Sequence, residues 1–145
     1  MATYRCVICT PTAKLFDADV HYAKVPSEEG YFGVLPGHET LVGLMGEGGI
    51  CRVNLDEAGT QKKEFLLFKG AVQMLNGILT VLGAQGCDPE AIVKEDVEAE
   101  KAELLSYIDS LKKKDDVQDK TRISILKRNI EWCDFQLAFL DGKVA

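Results

Sequence analysis

Two histidines and five cysteines are the side chains of this 145-residue chain best suited to act as nucleophiles, bases or metal ligands. Cys6 and Cys9 form a CxxC, a spacing shared by many zinc and dithiol sites. Thr3 to Thr10, however, reads as a β-strand, in which residues three apart point to opposite faces, so the two thiols cannot converge on one ion. Cys51, Cys87 and Cys133 are scattered, and an odd number of widely spaced cysteines in a chain with room for a core fits reduced thiols. No metal site is expected. A cysteine hydrolase using His21 or His38 has no nucleophile motif to support it, and GxSxG, HExxH and a phosphate-cradling glycine loop are all absent. No catalytic residue is therefore expected, and recognition is the chemistry that remains.

The strongest recognition candidate is the stretch Pro26 to Glu39, PSEEGYFGVLPGHE. Gly30, Gly33 and Gly37 can supply positive φ, Pro36 fixes its own φ, and Leu35 is pushed toward an extended geometry by the proline after it. Phe32, Val34 and Leu35 give the stretch an apolar inner side. The expectation is a built loop that presents Tyr31 and His38 from a stiff scaffold. A plain hairpin connection accounts for the same residues, since Gly and Pro cluster in most tight turns.

The elements that would hold this loop are short strands. Tyr4 to Thr10, Val20 to Val25, Gly49 to Leu55, Glu64 to Phe68, Ala71 to Leu75 and Ile78 to Leu82 are rich in β-branched and aromatic residues. Asn76-Gly77 is the strongest turn signal, because a type I′ hairpin wants positive φ at both positions. Asp56 to Gly59 and Lys69-Gly70 are further turn candidates. This pattern predicts an antiparallel sandwich or flattened barrel up to about Gly86.

Gly86-Cys87-Asp88-Pro89 marks a boundary, after which the apolar period changes from two to about 3.6. Val97, Leu104, Ile108 and Leu111 share one helix face, widened by Leu105, with Glu95, Asp96 and Glu98 at its start and Lys112 to Lys114 at its end. Asp115 to Asp119 makes a polar connection. A second helix carries Ile123, Leu126, Ile130, Cys133, Leu137 and Leu140, spaced 3, 4, 3, 4, 3, so an antiparallel two-helix hairpin is predicted. Ile125, Trp132 and Phe139 repeat every seven residues beside that stripe, and Phe135 adds to them. This is more apolar surface than one partner helix covers, which fits packing on the β-domain, a second docking surface, or each at different times.

Charge narrows the partners. The chain carries a net -6, with 7 basic and 9 acidic groups in residues 1 to 87 and 10 and 14 in residues 88 to 145, so a general nucleic-acid binder is not expected. No run of about 18 apolar residues spans a bilayer, and the start reads as a strand rather than a signal peptide.

A strand ladder whose loop reads EGYFGVLPGHETL, entered through Thr10-Pro11 with Lys14-Leu15-Phe16, resembles the epsilon subunit of rotary proton-translocating ATP synthases. Gly70-Ala71-Val72, the GILTVLGAQ ending and the charged helical hairpin extend that resemblance over nearly the whole chain. It implies an α+β fold: a ten-stranded antiparallel β-sandwich over residues 1 to 87 that binds the gamma subunit and the c-ring, then a regulatory helical hairpin over 88 to 145. The implied protein is a non-catalytic rotor subunit, peripheral on the cytoplasmic face of the cell membrane, with no direct insertion into it. Tyr31 and His38 would face the ring on a scaffold of Gly30, Gly33, Pro36 and Gly37. Relatives often place a carboxylate where Tyr31 stands, so a phenol hydrogen bond would replace a charge pair. The hairpin would brake ATP hydrolysis by docking through Arg122, Arg128, Trp132, Phe135 and Phe139 and, when extended, reaching the alpha and beta subunits.

Some relatives bind ATP through a hydrophobic-acid-x-x-Arg-Ala signature in the first helix and two arginines four apart in the second. This chain has Val97-Glu98-Ala99-Glu100-Lys101-Ala102, and Arg128 is followed by Trp132. Lysine lacks the planar fork of arginine, and tryptophan offers a phosphate little, so binding at a degenerate site of Glu98, Lys101 and Arg128 is expected to be weak or absent. No cofactor is expected. A free-standing adaptor or chaperone, with the hairpin as a clamp, suits the same composition and periodicity.

Overall fold

The computed structural model describes residues 2–37, 40–113 and 117–144. Among them, eight strands run in the order β1 (Tyr4–Thr10), β2 (Ala13–Val20), β3 (Tyr22–Ser27), β4 (Gly30–Val34), β5 (Leu41–Leu44), β6 (Gly48–Asn54), β7 (Lys62–Leu75) and β8 (Ile78–Cys87). A 3-10 turn, Pro89–Ala91, is followed by α1 (Lys94–Lys112) and α2 (Val117–Leu140). The chain divides into two compact units, Met1–Ala91 and Ile92–Val144.

In the first unit the strands are ordered β2-β1-β8-β7-β6-β3-β4, with β5 also paired to β7. The ladders are antiparallel except β1–β8, which is parallel with Arg5 opposite Ile78 and Cys9 opposite Leu82. The expected all-antiparallel arrangement is corrected there, because β8 comes back from the β7 hairpin running in the same direction as β1. Residues read as one strand, Val20 to Val25, span the end of β2 and the start of β3, joined at His21, whose N–H donates to the Asn54 carbonyl at 2.9 Å.

Residues read as two strands around a Lys69-Gly70 turn form the single β7. Lys69 and Gly70 have φ of 51° and 148°, and a Cβ on Gly70 would strike the Leu82 carbonyl, so only glycine fits this bend. Before the bend β7 pairs with β6, and after it with β5, while β8 pairs with it on both sides of the bend, from Leu66 to Leu75. Lys69 donates to the Glu47 carbonyl at 3.1 Å and Met45 to the Gly70 carbonyl at 3.0 Å, so the β5–β6 turn straps the bend. The count is thus eight strands among the described residues where ten were expected, partly because β7 and β8 run uninterrupted. Asn76 and Gly77 have φ of 53° and 75° and close the β7–β8 hairpin with Leu75 opposite Ile78, as the type I′ signal predicts.

Alternation builds the core. Tyr4, Cys6 and Ile8 of β1, Ala23 and Val25 of β3, Cys51 and Val53 of β6, and Leu79 and Val81 of β8 are buried in one cluster. Phe16 and Phe65 rings pack 5.6 Å apart at 53°. Each fully buried Val, Leu, Ile or Phe contributes about 1.5–3 kcal/mol relative to exposure, enough to fix strand register.

In the second unit α1 and α2 pack on each other. Val97, Ile108 and Leu111 of α1 and Cys133 of α2 are buried, Leu104, Ile123, Leu126, Ile130 and Leu137 are half-buried, and Leu105 and Leu140 are exposed. Lys101 pairs with Asp134 across the hairpin at 2.5 Å. Asp119, read as part of a polar connection, lies inside α2, where it is buried and accepts from Arg122 at 3.5 Å. Lys114, Asp115 and Asp116 fall outside the described residues.

Candidate functional site

The stretch read as a presenting loop is mostly a hairpin. Pro26 and Ser27 end β3, Glu28 and Glu29 turn, and Gly30 to Val34 return as β4. Ser27 pins the turn by donating its hydroxyl to the Gly30 carbonyl at 2.6 Å and accepting the Glu29 N–H at 3.2 Å. Gly30 has a φ of 111°, and Gly37, in the turn after β4, has 81°. Gly33 is glycine for a different reason: a Cβ there would collide with the Tyr22 ring that lies over it. Pro36 is half-buried between exposed Leu35 and Gly37. His38 and Glu39 lie outside the described residues.

A cleft of about 480 Å³ opens beside this hairpin, lined by Ser27 to Phe32 on one side and by Leu41 to Leu44 of β5 on the other. Its walls are strand edges, because β4 pairs with β3 and β5 with β7 among the described residues. One end is tied by the Glu28 N–H donating to the Leu44 carbonyl at 3.1 Å. Val42 and Leu44 are exposed at 75% and 59%, and Glu28 and Glu29 stand exposed at the hairpin tip. The rim is therefore apolar on the β5 side and acidic at the tip, as suits a docking surface rather than a reaction chamber.

Tyr31 is half-buried and lies outside the core cluster, with its side chain reaching toward β6. Its hydroxyl accepts the Ile50 N–H at 2.9 Å, and the Lys24 ammonium sits 4.7 Å from its ring centroid. The end of β4 is anchored too, since the buried Tyr4 hydroxyl donates to the Val34 carbonyl at 2.7 Å. Tyr4, Tyr22, Lys24, Gly49 and Ile50 do not stand out in the sequence as site residues. Glycines inside strand patterns, at 33 and 49, are the signal that could have found the two tyrosines packed on them.

Both carboxylate and thiol electrostatics are structural in origin. Asp17 is held below the usual carboxylate range by hydrogen bonds from Lys14 and Arg5. Burial pushes the Cys6 thiol up to about 12 and the Cys51 thiol up further, so neither is a ready nucleophile. All five cysteines are free, and no group of three or more potential ligands could hold a metal among the described residues.

The hairpin candidates are spread over α1 and α2. Trp132 and Phe135 stack at 6.3 Å and 27°, and both, with Phe139, are half-buried; Arg122 and Arg128 are exposed. Glu98 pairs with Lys94 at 3.9 Å and Lys101 with Asp134, so both engage other partners. Gln136, buried on α2 and donating to the Trp132 carbonyl at 3.4 Å, interrupts the apolar stripe in a way that spacing alone does not reveal.

Comparison with known proteins bears on this arrangement. The family described as "ATP synthase, Delta/Epsilon chain, beta-sandwich domain" matches residues 3–86. The ATP synthase epsilon chain of Rippkaea orientalis is 30% identical over 117 residues, covering 81% of this chain and 83% of its own. That of Leptospira borgpetersenii is 29% identical over 126 residues, covering 83% and 93%. In the solved mitochondrial ATP synthase of Euglena gracilis, a structure of OSCP, F1 and c-ring, one chain has the same fold, with a TM-score of 0.62 at 20% identity over 97% of this chain and 82% of its own.

Proposed function

The chain belongs to the ATP synthase delta/epsilon family as an epsilon chain, and from that premise we propose that its sandwich seats the gamma subunit on the c-ring while its helical hairpin restrains ATP hydrolysis. The observation that carries this is the family match across residues 3–86, which takes in the strands as far as Gly86 and the whole Pro26 to Val34 hairpin. A rotor foot transmits torque, so its contacts must be stiff. The β3–β4 hairpin answers that demand with a pinned turn, an anchored Val34 and two tyrosines seated on glycines. The β4–β5 cleft and His38 are the proposed ring contacts, with Gly30, Gly33, Pro36 and Gly37 as their scaffold. The ten-strand count of the family, with β7 and β8 each taken as two at the bend, belongs to the same reading.

The hairpin would act as a population switch between two docking arrangements, reaching the alpha and beta subunits through Arg122, Arg128 and the Trp132, Phe135 and Phe139 face. The protein acts without chemistry of its own, on the cytoplasmic face of the cell membrane. No helix among the described residues is long and apolar enough to cross that membrane.

The test is reconstitution of an epsilon-depleted bacterial ATP synthase with the full chain or with a chain ending at Ala91. Both forms should bind gamma and the ring, and only the full chain should depress ATP hydrolysis. Failure of both to bind refutes the rotor reading, and equal hydrolysis with both refutes the brake.

A further inference from the structure

Tyr31 borders two spaces at once. It lines the β4–β5 cleft and also a small surface pocket of about 40 Å³ shared with Lys24, Ile50 and Arg52. It stands on β4 opposite Pro26, yet its phenol reaches across β3 to β6. The β3–β6 ladder runs from Tyr22–Asn54 to Lys24–Arg52, so the Ile50 amide lies past its end, and the phenol oxygen takes that donor. Gly49 admits the ring: a Cβ there would run into the phenol oxygen and come within 3.4 Å of the Pro26 Cβ. Lys24 closes over the ring with its ammonium. The side chain is thus held by groups from both β3 and β6.

We propose that Tyr31 is a positioning residue, whose phenol latches β4 to β6 across β3 and so fixes the cleft wall, and the turn that follows it, in the geometry that meets the ring. This rests on the docking reading above, but it assigns the phenol an internal partner rather than a hydrogen bond to the ring.

The experiment uses the full chain and Tyr31→Phe, which keeps the ring and removes only the hydroxyl. Amide exchange by NMR should show Ile50 exchanging about tenfold faster, with Val53 unchanged. Association with a gamma–c-ring complex should slow about threefold to tenfold while dissociation stays the same, because losing a latch lowers the binding-competent fraction. Gly49→Ala leaves the phenol chemically intact but displaces it, so it should reproduce the slower association, and the double variant should be no slower than the worse single one. Should Gly49→Ala fold poorly, Tyr31→Phe decides alone.

An unchanged Ile50 amide in Tyr31→Phe overturns the latch. Faster dissociation with normal association overturns it as well, since that is how a side chain that bonds the ring directly would behave on removal. If the unsubstituted chain does not bind the complex, the docking reading falls and the positioning role falls with it, while the Ile50 amide still reports on the latch by itself.

Discussion

Removing one oxygen atom from the core should loosen the end of β4. Tyr4 is 5% exposed, and its hydroxyl donates at 2.7 Å to the carbonyl of Val34, itself fully buried and thirty residues away in sequence. Tyr4→Phe preserves the ring and its packing but leaves that carbonyl without this donor, where water cannot replace it. A buried acceptor deprived of its partner costs about 1–3 kcal/mol, and the lower half of that range applies because the phenol no longer has to be desolvated. For a domain of this size about 1–2 kcal/mol lowers the melting temperature by roughly 4–16 °C. Urea unfolding followed by NMR signals of the sandwich should show an earlier midpoint with unchanged slope. Tryptophan fluorescence is the wrong probe, since Trp132 lies in the helical unit. The control is Tyr107→Phe, at a ring 50% exposed, which should shift stability by less than about 0.5 kcal/mol. A Tyr4→Phe midpoint matching the unsubstituted chain would refute the claim that this bond anchors β4.

Alkali should unfold the sandwich through its buried acids. Burial is the leading cause that raises Tyr4, Cys6 and Cys51 above their ordinary values, Cys6 from 9 to about 12. With folded values above unfolded ones, the stability these groups contribute is fully present below about pH 9 and is lost as the pH climbs toward and past 12. Denaturant midpoints should therefore be level at neutral pH and fall above about pH 9, and a midpoint rising there would contradict the burial. For the second unit, calorimetry of the full chain with ATP should show no micromolar binding, because Lys101 is committed to Asp134 across the hairpin. Micromolar, magnesium-sensitive binding would reverse that expectation.

What could be read in advance depended on how strongly each element satisfied its own local rule. β1 carries alternating Tyr4, Cys6 and Ile8, and Asn76-Gly77 demands one turn type, so both were plain in the sequence. β2 escaped because its outer residues make ion pairs instead of alternating cleanly: Arg5 meets Asp17 at 2.7 Å and Lys14 meets Asp17 at 3.0 Å. β5 is four residues long with Val42 and Leu44 turned outward, too short and too exposed to announce a strand. β4 was hidden by its own glycines, which serve a turn at 30 but a ring contact at 33. The same limit governed the site. A residue's type shows that Tyr31 can make a hydrogen bond, but only the pairing of β3 with β4 and β6 brings its phenol to the Ile50 amide.

The parallel ladder between β1 and β8 sets the order in which this chain can mature. Arg5 lies beside Ile78, seventy-three positions later, so the first strand can pair with β2 at once but lacks its other neighbour until the last strand exists. Contacts of such long range make folding slow and leave early strands bare while the polypeptide grows. On a ribosome, the nascent sandwich would hold an open flank through almost the whole of its synthesis and seal only when β8 emerges. By then the segment that will become the helices is still being made, so the strand unit is finished before the helical one.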